Sequence, residues 1–460
     1  MSLFKDIIAN LPEVKGPLQK RLPFNKKLKW TLIVLLSYFL LGIIPLYGLG
    51  ENALKQFDYL SIILGAQFGS IISLGIGPIV TASIVLQLLK GSGLIRLDTT
   101  TSEGRIFFQG IQKVLSVFFI IFEATIYVFM GGLSPLQGIS PFILIFQLFL
   151  GGILILYMDE VINKWGFGSG VSLFIAAGVS AEVFVRAFSP LTTTGMFAFG
   201  TGQAPVGKVF VFIISLIQGR PTESILALSA ILATVIVFVM SVYAQAMKVE
   251  IPLSFGRVRG YGIRWPLRFI YTSNIPVILV AALMANVQLW ARLLEKWGHP
   301  FLGTFTGQIP TTGLVAWLHS PNIISNILTG SFVWMDLSHA FVYILFMIIG
   351  AVIFSIFWVQ TAGMDAGSQA KQIMASGLQI PGFRRDERVL ETILKRYITP
   401  LTIMGGMAVG LLAAVADLTG ALSRGTGILL AVMIIYHLYE EIAQQHMMDM
   451  YPGLRKMMGK

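Results

Sequence analysis

Side chains able to do chemistry are scarce in this chain, and their spacing says as much as their scarcity. Five histidines occur, but none stands in a His-Glu-x-x-His pattern that would set two imidazoles and a general base on one helix face. Cysteine is absent, which removes disulfides, thiolate metal ligands and cysteine nucleophiles. Gly166, Gly168 and Gly170 alternate with Phe167 and Ser169, but they follow no soluble strand and lack the spacing of a dinucleotide loop, and no Gly-x-x-x-x-Gly-Lys-Ser/Thr phosphate loop exists. No catalytic residue, cofactor or metal is therefore expected.

Two polar constellations remain. Glu123 is the clear exception to an apolar interior, with uncharged Thr81, Gln87, Asn274 and Asn286 as company. A carboxylate at that depth either hydrogen-bonds its helix neighbours and holds spans together, or it is a polar contact whose breaking lets helices part. The second constellation is cationic. Between Lys248 and Arg268, Arg257, Arg259 and Arg264 alternate with Val, Gly, Tyr and Trp. That pattern suits a hairpin whose tip offers guanidinium groups to phosphate, as an RNA-binding surface would. Arg384, Arg385 and Arg388 form a further cluster ahead of Lys395 and Arg396. Ordinary positive-inside topology needs some cations near span ends, and anionic lipid headgroups could absorb the same charges.

The elements that must position these residues follow from composition. Of the 460 residues, 55% are hydrophobic and only 12% charged, and mean hydropathy is +0.78. A water-soluble fold and a disordered chain are both excluded, leaving an integral membrane protein. A bilayer crossing takes about 20 apolar residues in a helix. Nearly charge-free runs predict ten spans: Trp30–Tyr47, Gly75–Leu89, Val114–Met130, Phe142–Met158, Ser169–Phe188, Ser224–Met247, Phe269–Ala291, Leu337–Gln360, Tyr397–Ala416 and Gly425–Tyr439. Val209–Gly219 is too short to cross and reads as an interfacial or re-entrant helix. With a cytoplasmic amino terminus, an even count returns the carboxyl terminus to the cytoplasm. Of the 33 basic residues, only Lys55, Arg186, Lys208, Arg220, Arg292, Lys296 and Arg424 then fall on the far side, the asymmetry expected when cations stay on the side of synthesis.

The expected organisation is a cytoplasmic amphipathic amino terminus over 1–29 and a first half of five spans over 30–188. An external loop with a short apolar helix covers 189–223. A second half follows over 224–439, with cytoplasmic loops at about 248–268 and 361–396, and a cytoplasmic tail over 440–460. The run from Tyr59 to Leu89 is longer than one crossing needs and is broken by Gly75, Gly77 and Pro78. It is either a kinked helix or a short segment entering an internal passage, since irregular backbone survives at that depth only inside protein or beside water. Ten spans also divide into five and five, compatible with an inverted repeat, and a secondary carrier of a small solute is the competing functional reading.

The strings Leu74-Gly-Ile-Gly-Pro-Ile-Val-Thr81, Gly168-Ser-Gly-Val-Ser-Leu-Phe-Ile-Ala-Ala-Gly178, Ser273-Asn-Ile-Pro-Val-Ile-Leu279 and Gly425-Thr-Gly-Ile-Leu-Leu430 together resemble the SecY family, in its archaeal branch. The resemblance implies an all-α integral membrane fold with ten transmembrane helices in two pseudo-symmetric halves around a pore. It implies a plug at about 52–69 and a constriction ring of Ile76, Val80, Val171, Ile175, Ile278 and Leu430, with Val171 smaller than the isoleucine often found there. Thr81, Glu123 and Asn286 match the family's polar cluster at a lateral gate. Arg257, Arg259, Arg264, Arg384, Arg385 and Arg388 match its ribosome-docking loops. The implied function is a passive protein-conducting channel in the cytoplasmic membrane. The implied partners are the SecE (gamma) and beta subunits, the translating ribosome through its RNA, signal sequences and nascent polypeptides, and lipid.

Overall fold

A computed structural model describes residues 12–18, 22–52, 66–91, 94, 101–192, 196–198, 203–255, 262–272, 275–306, 309–375, 378–379 and 386–450. Within them, ten helices coincide with the ten predicted spans: α1 (Phe24–Ile43), α2 (Gly77–Gly91), α3 (Ser102–Phe129), α4 (Pro141–Trp165), α5 (Gly170–Phe188), α7 (Pro221–Ala246), α8 (Ile275–Lys296), α11 (Trp334–Thr361), α13 (Glu387–Leu418) and α14 (Gly425–Met450). Eight of these are long and apolar enough to cross a membrane by themselves. The exceptions are α1, whose first turns carry Lys26, Lys27 and Lys29, and α2, which has 15 residues. The short α6 (Lys208–Ile217) occupies the predicted interfacial segment.

Several helices run past the charge-free limits. A run without charge marks the hydrocarbon core, whereas helical hydrogen bonding continues into polar turns whose lysines reach the interface. Thus α1 begins ahead of its lysines, α13 starts at Glu387, and α14 continues to Met450.

The side chains are arranged for lipid rather than water. On α7, Ile225, Leu228, Leu232, Val235, Ile236 and Val239 are exposed, while Ala227, Ala230, Ala233, Ser241 and Ala244 are buried. Lipid supplies no hydrophobic drive between helices, so close approach of small residues carries the packing. The α11–α13 pair, the most extensive in the fold, shows the same device. A Cβ on Gly410 would lie 2.8 Å from the Met347 carbonyl oxygen, and one on Gly406 would lie 2.7 Å from Ser355 Oγ. Pro400 sits inside α13 without ending it.

Between α1 and α2 the chain re-enters as irregular backbone over 66–76. Its polar groups are bonded within the protein. Ile71 N–H donates to the Ile44 carbonyl (3.0 Å) and Leu46 N–H to the Gly69 carbonyl (2.9 Å). The Ser73 hydroxyl lies within reach of the Ser70 and Gln67 carbonyls and accepts from Gly69 N–H. Gly75, at φ 56°, takes the left-handed turn that leads into α2. This is the short-segment alternative, not a simple kink.

The connections follow the same economy. Strands β1 (Leu49–Asn52) and β2 (Leu133–Pro135) pair antiparallel. Strands β3 (Lys248–Phe255) and β4 (Gly262–Arg268) form the predicted hairpin, in unbroken register from Lys248–Arg268 to Ser254–Gly262. At the base of that hairpin Arg268 pairs with Glu440 of α14. On the first half, Lys113 pairs with Glu160, Lys164 with Glu13, and Trp165 Nε1 donates to the Lys15 carbonyl (2.9 Å). Residues 12–15 are therefore strapped across the ends of α3 and α4.

The re-entrant segment depends on Gly151 of α4, where a Cβ would fall 1.9 Å from the Ile71 carbonyl oxygen. Gly151→Val is expected to displace that segment and destabilise the protein by about 1–3 kcal/mol. Thermal unfolding in detergent measures this, with Gly16→Ala, where a Cβ meets nothing within 4 Å and the backbone is not left-handed, as the control for glycine loss.

Candidate functional site

The six ring candidates come from four helices. Ile76 immediately precedes α2 and Val80 lies in its first turn; Val171 and Ile175 open α5; Ile278 opens α8; Leu430 is the sixth residue of α14. All belong to one contiguous apolar cluster. Ile76, Ile175 and Leu430 are at most 1% exposed, Val80 and Ile278 at most 5%, and Val171 is partly buried. A conduit wide enough for water would leave these side chains accessible, so none runs between them among the described residues. Every ring candidate lies within two turns of the start of its helix.

Beside the waist runs a polar seam. Thr81 of α2, Glu123 of α3 and Asn286 of α8 are each less than 10% exposed. Asn286 Nδ2 donates to Thr81 Oγ1 (2.9 Å), and Thr81 Oγ1 lies 3.2 Å from Glu123 Oε1 and 2.8 Å from the Gly77 carbonyl. One hydroxyl proton serves two acceptors, so the seam is strained in its accounting. Glu123 Oε2 and Asn286 Oδ1 have no hydrogen-bond partner among the described residues. Buried polar atoms left unpaired cost about 1–3 kcal/mol each. The seam joins the first half to the second with less than full satisfaction, and parting α2 from α8 would expose these atoms to new partners. Gln87, farther along α2, is likewise buried with Oε1 unpartnered. Asn274 lies outside the described residues.

The cationic candidates divide. Arg264 lies in β4, and Arg388 is exposed in the first turn of α13, where Asp386 Oδ1 accepts from its N–H at 2.9 Å. Arg257 and Arg259 at the hairpin tip, and Arg384 and Arg385, lie outside the described residues, as does most of the proposed plug at 52–69. What the structure does establish is the paired hairpin from Lys248–Arg268 to Ser254–Gly262, anchored at its base by Arg268–Glu440.

Reading the sequence missed the residues that fix the helix starts. Asp417, 5% exposed, accepts from Thr426 N–H (2.7 Å) and is bonded to the Tyr343 and Thr426 hydroxyls. Asp159 accepts from Val171 N–H at 2.9 Å. The available signal was an aspartate closing one span shortly before a glycine opens the next.

Comparison with known proteins adds the context. A family model described as SecY matches residues 70–439. The protein translocase subunit SecY of Methanothermobacter thermautotrophicus is 47% identical over 460 residues, covering 99% of this chain and 98% of that one. Among solved structures, a protein-conducting channel superposes with a TM-score of 0.83 at 43% identity, covering 97% of this chain and 98% of the other. Sec61 from a canine ribosome–channel complex of the endoplasmic reticulum does so with a TM-score of 0.79 at 42% identity, over the same shares.

Because one hydroxyl bridges the seam, Thr81→Val is expected to orphan Asn286 Nδ2 and Glu123 Oε1 together and to loosen α2 from α8. Melting should fall by the equivalent of about 1–3 kcal/mol. Thr81→Ser, which keeps the oxygen, should melt close to the parent in the same thermal unfolding series.

Proposed function

The chain belongs to the SecY family, and from that premise we propose that the closed cluster of Ile76, Val80, Val171, Ile175, Ile278 and Leu430 is the seal of its pore and the Thr81–Glu123–Asn286 seam the latch of its lateral gate. The protein is a protein-conducting channel of the membrane: it passes polypeptide across and releases hydrophobic segments sideways into lipid. The carrier reading finds no support among its relatives.

The observation that carries the assignment is the chemistry of the waist. Six aliphatic side chains can offer an ion nothing in exchange for its hydration shell, so a narrow ring of them resists ions by staying dry. The same side chains are soft and non-directional. They can close around an extended polypeptide of any sequence, so the channel needs no specific side-chain recognition. No reacting group is required, and the energy for transport comes from partners.

Sideways release follows from the seam. An apolar signal segment wedged between α2 and α8 offers lipid-like contacts, while the acceptors left short of partners become open to water. A passenger helix that reaches this opening partitions by transfer energy. Charged residues cost about 2.5–3.5 kcal/mol each at the bilayer centre, and Leu, Ile and Phe are favourable. The channel thus sorts by hydrophobicity.

The β3–β4 hairpin and the 384–388 cluster dock the translating ribosome through phosphates of its RNA, with Arg257, Arg259, Arg264, Arg384, Arg385 and Arg388 as contacts. The canine relative, solved in a ribosome–channel complex, supports this reading. Both chain termini and these loops face the cytoplasm, following the basic-residue asymmetry. The segment at 52–69 plugs the pore from the opposite side, and SecE (gamma) and beta subunits complete the assembly.

Ile76→Gly with Val80→Gly is expected to raise resting ion conductance of reconstituted vesicles at least tenfold; saturable uptake of a metabolite, with no leak, would instead restore the carrier reading. Arg257→Glu with Arg259→Glu is expected to abolish co-sedimentation with ribosomes. Unchanged binding at low salt, where phosphate contacts are strongest, would refute docking through the hairpin tip.

A further inference from the structure

Two of the four helices that form the waist begin in the same way. At α5, Gly170 is the first helical residue, and the N–H of the second, Val171, donates to Asp159 Oδ1 at 2.9 Å. At α14, Gly425 is first, and the N–H of the second, Thr426, donates to Asp417 Oδ1 at 2.7 Å. In both cases the aspartate belongs to the preceding span, α4 or α13. Both glycines are required by contact with that span. A Cβ on Gly170 would lie 2.6 Å from Asp159 Cα, and one on Gly425 would lie 2.0 Å from the carbonyl carbon of Ala416, the neighbour of Asp417. Each aspartate has a further side-chain partner: Asn163 Nδ2 donates to Asp159 Oδ2 at 3.0 Å, and the Tyr343 hydroxyl is bonded to Asp417.

The two arrangements are repeat-related. They join the fourth span to the fifth and the ninth to the tenth, so five crossings separate them and the two turns open toward opposite sides of the membrane. This is the residue-level trace of an inverted repeat that the sequence alone does not display.

We propose that Asp159 and Asp417 are positioning residues for the pore: a matched pair of staples that fixes where α5 and α14 begin, and so holds Val171, Ile175 and Leu430 in the plane of the seal. The proposal rests on the waist being the ion seal. Its lever is short. A carboxylate satisfies an N-terminal amide that hydrocarbon would leave unpaired and complements the helix dipole, and the ring residues follow within the next turn or two. The stapled helices also pack on each other, since a Cβ on Gly427 of α14 would contact Val179 of α5 at 3.4 Å. Displacing either start therefore shifts two sides of the ring. Neither aspartate touches a passing chain in this scheme; each acts through the helix it caps.

The test uses the full-length chain in vesicles, reading resting ion conductance. Asp159→Ala and Asp417→Ala should each raise leak at least fivefold, and Asp159→Asn and Asp417→Asn, which keep the capping oxygen, should return it to within twofold of the parent. Tyr343→Phe takes a partner from Asp417 without disturbing the cap and should stay tight even where it lowers the melting temperature. The absence of cysteine permits a second readout independent of leak: a Val179→Cys, Gly427→Cys pair should cross-link efficiently in the parent and in the Asn variants, and at least threefold less in the Ala variants. Tight Ala variants beside a leaking Ile76→Gly, Val80→Gly pair, unchanged cross-linking, or a Tyr343→Phe variant as leaky as Asp417→Ala would each overturn the staples. If the glycine pair itself is tight, the seal reading fails, while cross-linking still decides whether the aspartates position the helices.

Discussion

In hydrocarbon no backbone amide or carbonyl can be left without a partner, and the architecture of this channel follows from that constraint. A continuous helix satisfies its own backbone but offers no opening. A passage for polypeptide can be built only where helices begin, end or give way to irregular chain, and those are the places where the ladder of hydrogen bonds fails. The waist lies at such places. Its ring residues cluster at the starts of α2, α5, α8 and α14, and the irregular stretch 66–76 leads directly into one of them. The groups freed there are met by the Ile44 carbonyl, the Ser73 hydroxyl, Asp159 and Asp417. At these places polar atoms inside the membrane serve backbone that had to be interrupted.

The second principle is contrast between complete and incomplete satisfaction. The side chains assigned to the waist ask for no partner: they lie in one apolar cluster and meet their surroundings by dispersion alone. The seam at Thr81, Glu123 and Asn286 is short of partners. A gate made of fully paired groups would be costly to open, because each separated atom would lose its bond. A gate with unpaired atoms loses less on opening and gains whatever water or passenger backbone reaches it. The proposed seal and gate thus use opposite chemistries a few residues apart, Val80 and Thr81 being adjacent on α2.

Glu123 apart, charge gathers toward the ends of the spans and ties separate parts of the chain together there. Glu440 anchors the base of the arginine hairpin to α14, the helix that carries Leu430. Glu441, the next residue, lies 4.0 Å from Lys27 of α1. Glu160, Lys113 and Lys164 hold the amino-terminal strap on the first half. These contacts are partly exposed, so each contributes little to stability. Their effect is positional: they tie the β3–β4 hairpin and the amino-terminal segment to the membrane helices.

How much of this was legible in the chain depends on which physical signal each feature writes. The ten spans were legible, because a bilayer demands long apolar runs and nothing else in the composition produces them. The β3–β4 hairpin was legible from arginines alternating with Gly, Tyr and Trp between two spans. The ring was legible only through resemblance. Lipid and pore lining both accept Ile, Val and Leu, so the type of Ile76 or Leu430 does not say whether it faces outward or inward. Tertiary structure alone decided three things. It supplied the actual hydrogen bonds among Thr81, Glu123 and Asn286, grouped in the sequence only by resemblance, across 42 and 205 residues of chain. It turned Asp417 from an ordinary span-end charge into a buried cap, and it aligned that cap with Asp159 as the second copy of one device. Sequence periodicity reports the environment along a single helix; contacts between helices far apart in the chain depend on how those helices are rotated and where they start, and only packing sets that.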